Sequence, residues 1–179
     1  MNRALVLFIV AFFLTFGGLS FNGAAQTNES VYTELTEAKC KTIKTGEEFA
    51  VRSCPGVGGY KLLAADDDAR GSITVVDPRG KEHPLNYWHV ITPAFSYLGD
   101  KAEWRVVKKN GKITPVALIV RVNASENQED PNKKSSYLAV AKITPQQVCV
   151  TDKIAPGATA NEEARRAADA SSSKPCLKE

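Results

Sequence analysis

The chain contains no apolar run long enough to cross a membrane. The longest, Ala4–Phe16, is broken only by Thr15, and a helical span needs about 20 residues. No C-x-x-C occurs, so neither a thioredoxin-like redox pair nor a zinc ribbon is supported. H-E-x-x-H and G-x-S-x-G are both missing, which removes the commonest signatures of zinc proteases and α/β hydrolases. Histidine is scarce: His83 and His89 are the only two. Charge of one sign is scarce too. The 23 Lys and Arg stand against 20 Asp and Glu. Basic pairs such as Lys108-Lys109 and Arg165-Arg166 have acids nearby, so nothing favours a nucleic-acid partner.

What is present at the N-terminus reads as a secretory signal peptide, residues 1–25. Arg3 supplies the positive charge, Ala4–Phe16 the apolar stretch, and Gly23-Ala24-Ala25 the small residues of a cleavage site. No Cys lies near that site, so a lipid anchor is not expected. The expected location is periplasmic or extracellular, with no membrane span.

All four cysteines, Cys40, Cys54, Cys149 and Cys176, follow the cleavage site. An even count in an exported chain reads as two disulfides. Of the three connectivities, sequence-local closure favours Cys40–Cys54 and Cys149–Cys176. Lys39–Lys44 and Phe49–Cys54 flank Thr45-Gly46-Glu47-Glu48 and suggest a hairpin. A register with Cys40 opposite Cys54 puts Ile43 opposite Val51, with the cysteines on the other face.

The remaining pattern is mostly β. Short runs with strand character alternate with turn signals such as Asp77-Pro78-Arg79-Gly80. Ala102–Lys108 and Lys112–Val122 are joined by Asn110-Gly111, the pairing a type I′ hairpin requires. Pro115 in the second arm demands an edge or a bulge. The expected architecture is an antiparallel sandwich or partly open barrel, the β domain covering residues 31–151. A tail, 152–179, carries a short C-terminal α-helix. Thr159-Ala160-Asn161-Glu162 resembles a capping box, and Ala160, Ala164, Ala167 and Ala168 share one face. An alanine face buries little, so a Cys149–Cys176 bond is expected to hold this helix to the sheet.

Chemistry-bearing groups are few. Asp66-Asp67-Asp68-Ala69-Arg70-Gly71 partly mimics a calcium loop, but Arg70 puts a cation where a ligand oxygen belongs. A turn, with Arg70 available to a nearby carboxylate, is the simpler reading. No metal and no cofactor is expected. Gly56-Val57-Gly58-Gly59 lacks the Lys-Ser/Thr of a phosphate-binding loop. The aromatics Tyr87, Trp88, Phe95, Tyr97 and Trp104 suit either a core or a ligand platform. Tyr87, Trp88, His89 and Arg70 are the candidate binding residues; no catalytic residue is assigned.

Several segments carry a resemblance. Tyr32-Thr33-Glu34-Leu35 leading to Cys40, and Arg52-Ser53-Cys54-Pro55-Gly56-Val57-Gly58-Gly59-Tyr60, are two. Asp68-Ala69-Arg70, Glu103-Trp104-Arg105 and Pro115–Arg121 are others. Cys149-Val150, Asn161, Ala164-Arg165-Arg166-Ala167-Ala168-Asp169 and Cys176 complete the set. Together they resemble a family of uncharacterised exported bacterial proteins. Asp152-Lys153-Ile154 departs from it, standing where the family has Val-Asp-Ala. The resemblance implies one exported, disulfide-bearing domain and implies no activity. With no catalytic set, near-neutral charge and a disulfide-stapled β scaffold carrying long polar loops, the functional expectation is a non-catalytic envelope module that binds a protein or a glycan, an inhibitor of a lysozyme-type hydrolase being one form. The alternative is a secreted hydrolase using His83 or His89 with Asp66–Asp68.

Overall fold

A computed structural model describes residues 28–130 and 132–178; the expected signal peptide lies outside them. The elements are β1 (Glu29–Glu34), β2 (Lys41–Thr45), β3 (Phe49–Pro55), β4 (Lys61–Asp67), β5 (Arg70–Val76), β6 (Glu82–Pro84) and α1 (Tyr87–Val90). They continue as β7 (Ser96–Lys109), β8 (Lys112–Ala124), β9 (Ser135–Ile143), β10 (Val148–Ile154) and α2 (Ala160–Asp169), followed by one 3-10 turn, Ser171–Ser173. The protein is mostly β with a short C-terminal helix.

The strands form one open sheet in the order β10-β9-β8-β7-β5-β4-β3-β2, with β1 added to β7 and β6 to β5. Every pairing is antiparallel except β5 with β7, which meet in parallel at Arg70 and Ser96. The sheet is thus mixed and does not close into a barrel. The long strand β7 joins its two halves. Its first residues lie along β5, a register shift between Leu98 and Ala102 bends it, and from there it pairs with β1 as well as β8. Gly71 permits the approach: a Cβ there would meet the Leu98 amide at 3.2 Å.

Alternation along the strands decides what is buried. Ala102, Trp104 and Val106 face a core shared with Leu62, Ile73 and Val75 of the other half and with Leu118, Val120 and Val122 of β8. Trp104 is wholly enclosed; its indole Nε1 donates to Thr33 Oγ1 at 2.9 Å, which ties β1 to β7. The second face of β8 and β9 is also covered, since Ala117, Ile119, Leu138 and Val140 pack under Ala160, Ala164 and Ala168 of α2. Burial on both faces is why β8 reads as a nearly unbroken apolar run.

Both disulfides form as expected, Cys40–Cys54 and Cys149–Cys176. The β2–β3 register differs in one respect. Lys44, not Ile43, lies opposite Val51, because a bulge after Thr42 turns Ile43 out to solvent. β2 ends the sheet and every residue of it is exposed, so the bulge forfeits no buried area. In the β7–β8 hairpin, Asn110 and Gly111 have φ of 50° and 74°, as the turn type requires. Pro115 sits at a bulge opposite Val106, and β9 begins to pair only at Ala117, so no ladder bond is lost to it on that side.

The tail is held by more than its cysteine. Arg165 grips Glu103 of β7 (2.7 Å), and Asp169 receives Arg105 (2.8 and 2.9 Å). Lys174 Nζ reaches Asp152 at 2.6 Å, and the Leu177 amide donates to the Val150 carbonyl at 2.8 Å. Glu103 and Arg105 occupy the β7 face opposite Trp104, the face on which α2 lies.

Candidate functional site

The β4–β5 hairpin turns through Asp68 and Ala69, both left-handed with φ of 49° and 55°. Alanine adopts that conformation only at a cost. Two backbone bonds hold it there: the Asp68 amide donates to the Glu48 carbonyl (2.9 Å), and the Ser96 amide to the Ala69 carbonyl (2.8 Å). The turn is therefore wedged between the β2–β3 loop and the start of β7.

Arg70 follows directly. Its guanidinium donates to Asp68 Oδ2 (2.5 Å) and to the Pro93 carbonyl (3.3 Å), and lies 5.3 Å from the centre of the Phe95 ring. One side chain thus ties the hairpin tip to the segment between α1 and β7. That segment has a second anchor. The buried Thr92 donates to Glu126 Oε1 and Tyr137 OH to Glu126 Oε2, both at 2.6 Å. Burial works against the ionised Glu126, but these two hydroxyl donors, with the Lys153 charge and Ser135, together hold its pKa below the ordinary value. The Ser125 amide also donates to the Phe95 carbonyl.

Asn86, left-handed at φ 48°, starts α1. Leu85, Tyr87 and Ile91 are buried, which leaves Trp88 and His89 facing outward, their rings 5.9 Å apart edge to face. Asp67, Asp68, Arg70, Trp88, His89 and Pro93 line one open groove of about 500 Å³. Three of the four candidate binding residues, Arg70, Trp88 and His89, therefore converge. Tyr87 lies in the core instead. Its amide donates to Ser72 Oγ, and burial pushes its phenol far above the ordinary value.

The five aromatics divide between the two expected roles. Tyr87 and Trp104 are core, Trp88 is half-buried, and Phe95 and Tyr97 are each 54% exposed. Phe95 immediately precedes β7 and Tyr97 is the second residue of that strand. Tyr97 borders two more grooves, of about 240 and 450 Å³, along the bent part of β7. The spacing of these two aromatics was visible in the sequence; their exposure was not, because exposed and buried aromatics alternate alike.

His83 is placed elsewhere. It lies on β6 opposite Val75, with Nε2 3.6 Å from Asp77 Oδ2. Burial disfavours the Asp77 carboxylate, yet the Lys81 and Arg79 amides and the Arg79 guanidinium more than offset this and hold its pKa at about 2. Of the hydrolase set, only His89 shares a groove with Asp67 and Asp68. No hydrogen bond joins them among the described residues, Asp68 is engaged by Arg70, and no Ser, Thr or Cys lines that groove. Among the described residues no three His, Cys, Asp or Glu side chains gather as a metal site, and no helix is long and apolar enough to cross a membrane. The two disulfides fit an oxidising extracellular or periplasmic environment.

Comparison with known protein families, with characterised proteins and with solved structures finds no match to this chain.

Proposed function

We propose that this is an exported, non-catalytic envelope module whose ligand, a protein or a glycan, binds at the exposed aromatics Phe95 and Tyr97. One observation carries the reading: Phe95 and Tyr97, each 54% exposed, lie two residues apart on a segment pinned by the Arg70–Pro93, Ser96–Ala69 and Ser125–Phe95 hydrogen bonds. Exposed aromatics beside an Arg are the composition of binding hot spots. The pinning means little freedom remains to be lost on association. Inhibition of a lysozyme-type hydrolase is one form this activity could take. The test is capture of ligands from envelope extract, insoluble glycan included, by the wild type and by a Phe95→Ala/Tyr97→Ala variant. Ligands retained by the first and lost by the second support the reading.

The hydrolase reading has one observation in its favour, the shared groove of His89, Asp67 and Asp68. It predicts turnover that His89→Ala abolishes.

A further inference from the structure

We infer that the ligand at Tyr97 is a sugar that carries a carboxylate, its ring on Tyr97 and its charge on Arg121 and Lys101; the inference rests on the binding reading above. The geometry begins with a cross-strand pair. Tyr97 of β7 lies directly opposite Asn123 of β8, and Arg121 stands two residues earlier on β8, so the three side chains share a face. All three, with Lys101, line one open groove of about 450 Å³. The same face of β8 carries Ile119 beneath α2. The helix meets the groove at Asn161, whose Oδ1 accepts from Arg121 Nη2 at 3.0 Å.

Arg121 is fixed in place without being neutralised. Its stem lies against Gly99 in the bend of β7, where a Cβ would meet Arg121 Cβ at 2.9 Å. Its Nη1 donates to Ser136 Oγ, and Ser136 in turn donates to Asn123 Oδ1, both at 2.9 Å. Ser136 and Asn161 are neutral acceptors, so the guanidinium keeps its charge and has N–H groups to spare for a carboxylate. Among the described residues Lys101 has no ion pair. Glu34 stands opposite it in the β1–β7 register but lies outside the groove, and Glu103 is taken by Arg165. Among the described residues Asp100 is the only acid lining the groove. Two cations against one acid suit a ligand with a single negative charge. Beside them the Tyr97 ring, 54% exposed, offers a flat apolar face. The Asn123 amide nitrogen, its oxygen already engaged, is left to donate to a hydroxyl.

The probes are methyl β-glucuronide, methyl β-glucoside and acetyl-aspartyl amide, each titrated into the isotopically labelled protein and followed by backbone amide shifts. Expected is glucuronide binding that shifts residues 97–101 and 121–123, with the glucoside and the aspartyl amide each at least about tenfold weaker. Lys101→Gln and Tyr97→Ala, both at exposed side chains, should each weaken the glucuronide severalfold. Arg121→Lys, which keeps the charge and loses the fork, should weaken it too. An aspartyl amide that binds as tightly as the glucuronide overturns the proposal in favour of an acidic peptide or a bare anion. A glucoside that binds as tightly as the glucuronide also overturns it, while leaving the binding reading standing. So do the absence of shifts from all three probes and glucuronide shifts undiminished in Tyr97→Ala. Loss of the Phe95 and Tyr97 dependence in extract capture would sink the binding reading itself.

Discussion

Arg105 Nε and Nη2 hold the two carboxylate oxygens of Asp169 at 2.8 and 2.9 Å, across 64 residues of chain. Arg105 is only 8% exposed, and its remaining donors go to Ser30 Oγ and the Asn28 carbonyl. One guanidinium therefore joins β1, β7 and α2. Removing the carboxylate leaves a buried cation without its partner. Asp169→Asn should cost about 1–2 kcal/mol, discounted because Asp169 is partly solvated. Limited proteolysis at Arg165 and Arg166 should accelerate. Unchanged cutting would mean that the Glu103 pair and the disulfide suffice.

Cys176→Ser should by contrast leave α2 docked at neutral pH, because Arg165–Glu103 and Arg105–Asp169 remain. Combined with Asp169→Asn it should free the tail while the sheet stays folded. Rapid tail cutting in Cys176→Ser alone would show that the ion pairs contribute little.

Acid should release the same tail. Burial raises the pKa of Glu103, but Arg165 and Ser30 overcome it; burial likewise raises Asp169, and Arg105 and Asn28 overcome it. Both folded pKa values therefore lie below their unfolded ones. Their stabilisation is fully present above the ordinary carboxylate range and is lost as pH falls through the depressed folded values. The Ala164 and Ala168 methyl resonances should hold their docked positions through that ordinary range and move only below it. Movement at near-neutral pH would contradict the assignment.

The β4–β5 turn offers a test of backbone strain. Ala69 is held at φ 55°, where Gly is unstrained. Ala69→Gly should stabilise the protein by about 0.5 kcal/mol, the relief of roughly 1 kcal/mol exceeding the entropy Gly adds to the unfolded chain. Ala69→Val should destabilise it by more than about 1 kcal/mol. A lower melting temperature for Ala69→Gly would mean the turn is not strained.

Much of the fold was legible in local pattern. Asn110-Gly111 announces its hairpin, and the Cys40–Cys54 register follows from strand alternation. The bulge at Ile43 was not legible, since a terminal strand with no packed face leaves the apolar pattern nothing to enforce. Nor was the single open sheet, because the β5–β7 contact at Arg70 and Ser96 is one residue pair made possible by Gly71. At the candidate site, Arg70, Trp88 and His89 were chosen by residue type, and the fold joins them. The strand positions of Glu103 and Arg105 read as an ordinary polar face. Their pairing with Arg165 and Asp169 depends on where α2 docks, which alanines alone do not specify.

The central claim is that Phe95 and Tyr97 bind and do not merely decorate the surface. Both side chains are more than half exposed, so replacing them should change stability by no more than about 0.5 kcal/mol. The direct measurement is the affinity of Phe95→Ala/Tyr97→Ala, relative to wild type, for whatever the wild type captures from envelope extract. The account predicts a loss of at least about tenfold, as hot-spot aromatics show, with an unchanged melting temperature. Undiminished capture by the folded double variant would contradict it.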